Sequence, residues 1–252
     1  MASEGFVARG QARAREGQPA VALLPALALA LLLATVPVTL HGLRGERANA
    51  SAADPAASPA PVQGQVWPAV RWRHSRAVGM PNAGRLVRGV QLPVAGADFF
   101  SWDAVLERAP NRAWRRWGTD RLVRMVLGVA QEFRAANPGV PRVGIADLSR
   151  PNGGEFGPRF GGLGHASHQN GLDVDVAYPR VDRLELAPGS ARQIDRVLSQ
   201  DLVDRFVRAG AEFVFVGPHT GLKGRASVVQ PLVHHDDHMH VRIPPAAGRA
   251  SR

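Results

Sequence analysis

The hydrophobic positions of this chain change their pattern several times along its length. From Ala20 to Leu40 the run AVALLPALALALLLATVPVTL carries no charge at all. After Thr119 the apolar residues Leu122, Met125, Val126, Val129, Ala130 and Phe133 recur at helical spacing. They predict an amphipathic helix with Thr119 as its N-cap and Asn137-Pro138-Gly139 as its stop. A second helix is predicted from near Ser190, with Ile194, Val197, Leu198, Leu202, Phe206 and Val207 on its face and Gly210 just past its end. Strand-like runs fall at Val143–Leu148, Leu172–Ala177, Glu212–Val216 and Met239–Ile243. These elements do not alternate through Rossmann-type glycine turns, and no internal repeat is found. The expected fold is therefore α+β, a single domain whose central sheet is mainly antiparallel and flanked by helices. Pro151 to Gly164 is glycine-rich and reads as a loop that delivers the chain to His165.

Arg9, Arg13 and Arg15 precede the apolar run, which is the layout of a Sec-type signal or anchor. Ala48-Asn49-Ala50 fits a small-x-small cleavage site but lies well past that run, so a cleaved leader and an uncleaved membrane tether through residues 20–40 both stay open. The stretch that follows is rich in Ala, Pro and Ser and reads as a flexible linker. The chain thus divides into a signal peptide or anchor at 1–43, a linker at 44–66, one domain of catalytic size at 67–246 and a disordered tail at 247–252. The domain is expected outside the cytoplasm, in the periplasm or cell envelope.

Composition narrows the chemistry. With no cysteine there is no disulfide framework and no thiolate ligand, so any metal must sit on nitrogen and oxygen. The net charge of +10 is a poor guide to substrate, because Lys223 is the only lysine and the excess is arginine in an alanine-rich chain. Aromatic and basic residues do not interleave as a nucleic-acid site requires, and no nucleic-acid partner is expected.

The chemistry concentrates in two segments, GHASHQNGLDVDV from Gly164 and HHDDHMHVR from His234, which hold six of the nine histidines. His165, His168, His234, His235, His238 and His240 stand beside Asp173, Asp175, Asp236 and Asp237, the donor types of a transition-metal site. In a strand through Leu172–Ala177, Asp173, Asp175 and Ala177 share one face while Leu172, Val174 and Val176 enter the core. In a strand through HMHVR, His238 and His240 project on the same side. Three protein ligands with an open fourth position are the arrangement of catalytic zinc, and hydrolysis is its natural reaction. Neither HExxH nor HxxEH occurs, which leaves the base to a nearby histidine. Asp173, Asp236 and Asp237 read as acceptors around the ligands, and His41, His74 and His219 as ordinary histidines. Ser167 lacks a GxSxG setting, so a serine hydrolase is a poor reading.

SHQNGLDVD and HxxHMHVR resemble the penicillin-insensitive murein endopeptidases, within the superfamily of lysostaphin, D-Ala-D-Ala metallopeptidases and hedgehog domains. NAGRLVRGVQLP at Asn82, VGIADLSRPNGGEF at Val143 and FVFVGP at Phe213 extend the resemblance over about Asn82 to Ile243, in the family's order. It implies a hedgehog/DD-peptidase-like metallopeptidase domain with one Zn2+ held by His168, Asp175 and His240. It makes His238 the base or transition-state stabiliser and places His235 and His165 in the same cleft as further catalytic histidines. It further implies peptidoglycan stem peptides as substrate, cleavage of the D-alanyl to diaminopimelyl bond through metal-activated water, and indifference to β-lactams. Arg150 and Arg159 become candidates to bind a stem-peptide carboxylate. The chain departs from well-known members in lacking cysteines, and His234 has no counterpart role. Two alternatives remain: a D-Ala-D-Ala carboxypeptidase or dipeptidase on the same scaffold, and a non-catalytic zinc-bearing wall-binding domain, against which the retained His238 argues.

Overall fold

A computed structural model describes residues 69–156 and 165–246. The leader or anchor at 1–43, the linker at 44–66, the tail at 247–252 and Arg159 lie outside the described residues. The described chain runs through a hairpin, β1 (Arg76–Met80) and β2 (Ala83–Val87), then β3 (Val90–Gln91), β4 (Phe99–Ser101), a 3-10 turn (Ala113–Arg115) and β5 (Trp117–Gly118). It continues with α1 (Asp120–Ala136), β6 (Val143–Ile145), β7 (Asp173–Ala177), α2 (Arg196–Arg208), β8 (Phe213–Val216), β9 (Val229–Pro231) and β10 (His238–Arg242).

Six strands form one sheet in the order β4-β6-β7-β10-β8-β9. The inner pairings β6–β7, β7–β10 and β10–β8 are antiparallel, while the outer pairings β4–β6 and β8–β9 are parallel. The α+β class and the antiparallel centre agree with the sequence pattern, and the parallel rims are an addition to it. Pro231 sits at the end of β9, the last strand in the order, where a residue without an N–H costs no inner ladder bond.

The apolar face of β7 and β10, carrying Val174, Val176, Met239 and Val241, joins Leu122, Val126 and Phe133 of α1 and Leu198, Leu202 and Phe206 of α2 in one core. The opposite face of β7 is not the solvated surface that alternation alone implies: Asp173 and Asp175 are also buried. Phe156 covers this side, its ring 5.7 Å from that of His168.

Thr119 caps α1, its hydroxyl oxygen accepting the Leu122 N–H at 3.3 Å, and the helix closes at Asn137. The start of α2 lies later than the apolar spacing predicts. Asp195 is the N-cap, accepting the N–H groups of Val197 and Leu198 at 3.1 Å each. Ile194 is buried on the irregular approach and Val197, 80% exposed, lies off the helix's apolar face. Gly210, at φ +91, follows the helix as expected. Replacing Asp195 with Ala removes both cap bonds and should cost about 1 kcal/mol. A urea titration should show the lowered midpoint with unchanged metal content.

The β1–β2 hairpin matters because it backs the first histidine segment. Pro81 O accepts the Gln169 N–H at 2.9 Å, Gly79 O accepts from the Asn170 side chain at 3.1 Å, and Asn152 O accepts the Leu86 N–H at 2.9 Å. Gly153 permits this approach: at φ +68, a Cβ there would lie 2.1 Å from Gln169 O. Among the described residues no helix is long and apolar enough to cross a membrane, and the 20–40 run is not among them.

Candidate metal centre

The antiparallel register of β7 and β10 sets His240 opposite Asp175, Arg242 opposite Asp173 and His238 opposite Ala177. Because side chains alternate along a strand, these six share one face. His168 enters from the turn before β7 at φ +66, a left-handed conformation that non-glycine residues rarely adopt outside functional or tightly held positions. Its backbone N–H donates to Asp173 Oδ2 at 3.3 Å, and its ring Nδ1–H donates to Leu148 O at 2.5 Å.

Asp173 does more. Its Oδ1 also accepts His240 Nε2–H at 2.9 Å and Arg242 Nε–H at 2.6 Å. Both rings therefore spend their one neutral-state N–H on an outer acceptor and turn a lone pair inward. His168 Nε2 lies 3.3 Å from Asp175 Oδ1, His240 Nδ1 lies 3.0 Å from the same oxygen, and His238 Nε2 lies 3.9 Å away. His165 approaches the other oxygen, its Nδ1 at 3.8 Å from Asp175 Oδ2. His168 Nε2 and Asp175 Oδ1 are buried without a hydrogen-bond partner.

Burial opposes charge on these groups, and their neighbours restore it. Desolvation would raise the Asp173 carboxyl, yet His240, His168 and Arg242 together bring it down to about 2. Asp175 is likewise raised by burial but held well below the usual range by His168, His240 and His238. His240 loses charge by desolvation and regains it from Asp173 and Asp175, ending raised at about 9. The centre thus brings two buried carboxylates, both held ionised, together with imidazole nitrogens, ligand types that suit a divalent cation once it displaces the imidazole proton.

The profile of the penicillin-insensitive murein endopeptidases matches residues 77–215, more than half of the chain. The chain belongs to that family. Two curated relatives, the penicillin-insensitive murein endopeptidases of Klebsiella pneumoniae strain 342 and of Klebsiella pneumoniae subsp. pneumoniae, are each 26% identical over 202 residues, covering 69% of this chain and 68% of theirs. The profile match ends within β8, so His238 and His240 lie beyond it and are placed in the site by the β10 register.

Among the described residues, those whose candidate ligand atoms all lie within 4.8 Å of one another are His165, His168 and Asp175. That trio shares two members with the set expected from the resemblance and differs in the third, His165 in place of His240. Both histidines face Asp175, one at each oxygen. His238 donates its Nδ1–H to Asp237 at 2.7 Å, leaving Nε2 toward the centre. His235 donates to Val233 O at 2.7 Å, with its ring centroid 4.7 Å from that of His238. Its pKa is lowered, first by desolvation and then by His238. Asp236 binds the exposed His219 instead of the centre, and His234, exposed at φ +63, makes no contact that gives it a task there. Arg150 donates to Glu155 O at 3.0 Å within the approach segment.

Spacing gives no sign of a further group, Asp147 with Arg115, which lies directly behind His165. Asp147 O accepts the Asp175 N–H at 2.8 Å. The one available signal was an acid inside the otherwise apolar run VGIADL. Asp173 has a sharper consequence. Asp173→Asn keeps an acceptor but removes the charge that holds His240, Arg242 and the His168 backbone together, and should weaken metal binding about 10- to 100-fold. Competition with a chelating dye measures the change.

Proposed function

We propose that this chain is a zinc metalloendopeptidase that hydrolyses peptide cross-links of peptidoglycan outside the cytoplasm, the D-alanyl to diaminopimelyl bond being the one its family resemblance implies. The observation that carries the metal is the meeting of His168 Nε2, His240 Nδ1 and Asp175 Oδ1, acceptors in the neutral-ring state, two of them buried and unpartnered. Acceptors so arranged repel unless a cation or a proton lies among them, and binding a metal displaces the proton that His240 otherwise retains. His240 is preferred to His165 as third ligand because it stands on a strand paired with Asp175, is nearly buried, and shares with His168 a single orienting carboxylate, Asp173.

Zinc held there supplies Lewis acidity, polarising a peptide carbonyl and making water nucleophilic near neutral pH. The chain's own residues manage the proton. His238, turned by Asp237 so that Nε2 faces the centre, takes a proton from the attacking water as the C–O bond forms, and returns it to the leaving amine as the C–N bond breaks. His238 is 23% exposed at its side chain, enough for a substrate to reach it, whereas His168 is fully buried. His235 and His165 line the same cleft. No serine nucleophile enters this scheme, so a β-lactam has no group here to acylate.

The test is digestion of purified sacculi by the zinc-loaded protein, with muropeptides separated and weighed before and after chelation. Loss of cross-linked dimers with gain of monomers, abolished by chelator and restored by zinc, is the expected result. Release of D-Ala from free pentapeptide with dimers intact would replace this reading with a carboxypeptidase. Zinc binding without any release would replace it with a wall-binding domain.

A further inference from the structure

Arg115 and Asp147 form a fully buried ion pair that the scheme above does not use. The Arg115 side chain is 0% exposed and that of Asp147 1%. The guanidinium grips the carboxylate twice, Nε to Oδ1 at 2.6 Å and a terminal nitrogen to Oδ2. Asn111 adds a donor to Oδ1 at 3.0 Å. The last donor is His165, whose Nε2 lies 2.9 Å from Oδ2. Phe156 closes the cluster, with its ring centroid 5.0 Å from both the guanidinium carbon and the His165 ring. Burial raises the Asp147 carboxyl, but Arg115 and His165 outweigh it and bring it down to about 2. Asp147 is thus an anion that can only accept.

Stability alone does not call for such a pair, since apolar residues of similar volume commonly replace buried ion pairs without loss. What apolar residues could not do is orient an imidazole. We propose that Asp147, locked by Arg115 and Asn111, is a positioning residue that holds the His165 proton on Nε2 and so presents a bare Nδ1 to the centre beside Asp175 Oδ2. The inference rests on the proposed metal site for its consequence. His165 then offers a lone pair from the side opposite His240, as an acceptor toward whatever lies between it and Asp175, and does not offer an N–H there. Arg115 reaches the centre through Asp147 and His165, which is why a residue with no exposure at all can matter to the site.

Nitrogen NMR of isotope-labelled histidine rings decides it, recorded on the zinc-free full chain well above the ordinary imidazole pKa, with His165 assigned by its loss in His165→Gln. The expected result is an Nε2–H tautomer for His165 in the wild type. In Asp147→Asn the proton should distribute over both nitrogens, and the zinc Kd should rise about 10- to 100-fold. A wild-type ring protonated on Nδ1 would overturn the proposal, as would an Asp147→Asn protein with the wild-type tautomer and zinc Kd. Should Asp147→Asn fail to fold, the wild-type tautomer decides between the two outcomes by itself. If neither protein binds zinc, it is the metal reading that fails, while the ring measurement, made without metal, still decides the role of Asp147.

Discussion

Asp175→Ala is expected to abolish metal binding and hydrolysis together. Asp175 Oδ1 is the atom on which His168, His240 and His238 converge, at 3.3, 3.0 and 3.9 Å. Without it the remaining nitrogens keep no common anionic partner, and a divalent cation loses both a ligand and the negative charge that compensates its own. Lewis-acid activation lowers a hydrolytic barrier by several kcal/mol, and each ~1.4 kcal/mol is tenfold, so release of muropeptide monomers should fall at least about a thousandfold. A second readout separates loss of metal from loss of fold. Zinc at about 1,000 times its Kd stabilises a folded protein by about 4 kcal/mol, so the wild-type melting temperature should climb with added zinc while that of Asp175→Ala stays level. A variant that still gains stability from zinc would show that the cation is held elsewhere, the His165–His168 side of the centre being the first place to look.

The sequence made one half of this centre legible and hid the other. Strand alternation put Asp173 and Asp175 on one face of one strand and His238 and His240 on one face of another, because a period of two depends only on the local backbone. That these meet around His168 was what the family resemblance implied. Asp173 and Asp175 cannot be told apart on that basis, being two residues apart on the same side of the same strand. The cross-strand register distinguishes them: it sets Arg242 opposite Asp173 and His240 opposite Asp175, and so makes the first an organiser and the second a ligand candidate. Register between strands more than 60 residues apart is a tertiary property. Arg115 and Asp147 were hidden for the same reason, since they meet across 32 positions, one at the end of a 3-10 turn and the other in an irregular stretch. In the fold, α1 and α2 were legible in their apolar faces, whereas β4 and β9, three residues each, were not. The late start of α2 reflects a competition that apolar spacing does not register: Asp195 caps the helix while Ile194, just before it, pairs with Arg180 outside any helix.

His238→Ala should separate chemistry from metal binding. The ring sits at the mouth of the centre, its Nε2 farther from Asp175 Oδ1 than either proposed ligand atom, and its Nδ1–H committed to Asp237. Removing it takes away the proton acceptor but leaves His168, Asp175 and His240 with every bond that orients them. The zinc content should therefore equal that of the wild type, while kcat falls about 10²- to 10⁴-fold, the usual worth of a positioned general base, with KM little changed. Asp237→Ala should reproduce a fraction of that loss, because the ring survives but can turn and carry its proton on either nitrogen. Unchanged kcat in His238→Ala would move the proton to His235 or His165, whose rings lie 4.7 Å from that of His238 and 4.6 Å from that of His168, respectively. Lost zinc would instead make His238 a ligand, and the 3.9 Å separation from Asp175 would then have to close when the cation enters.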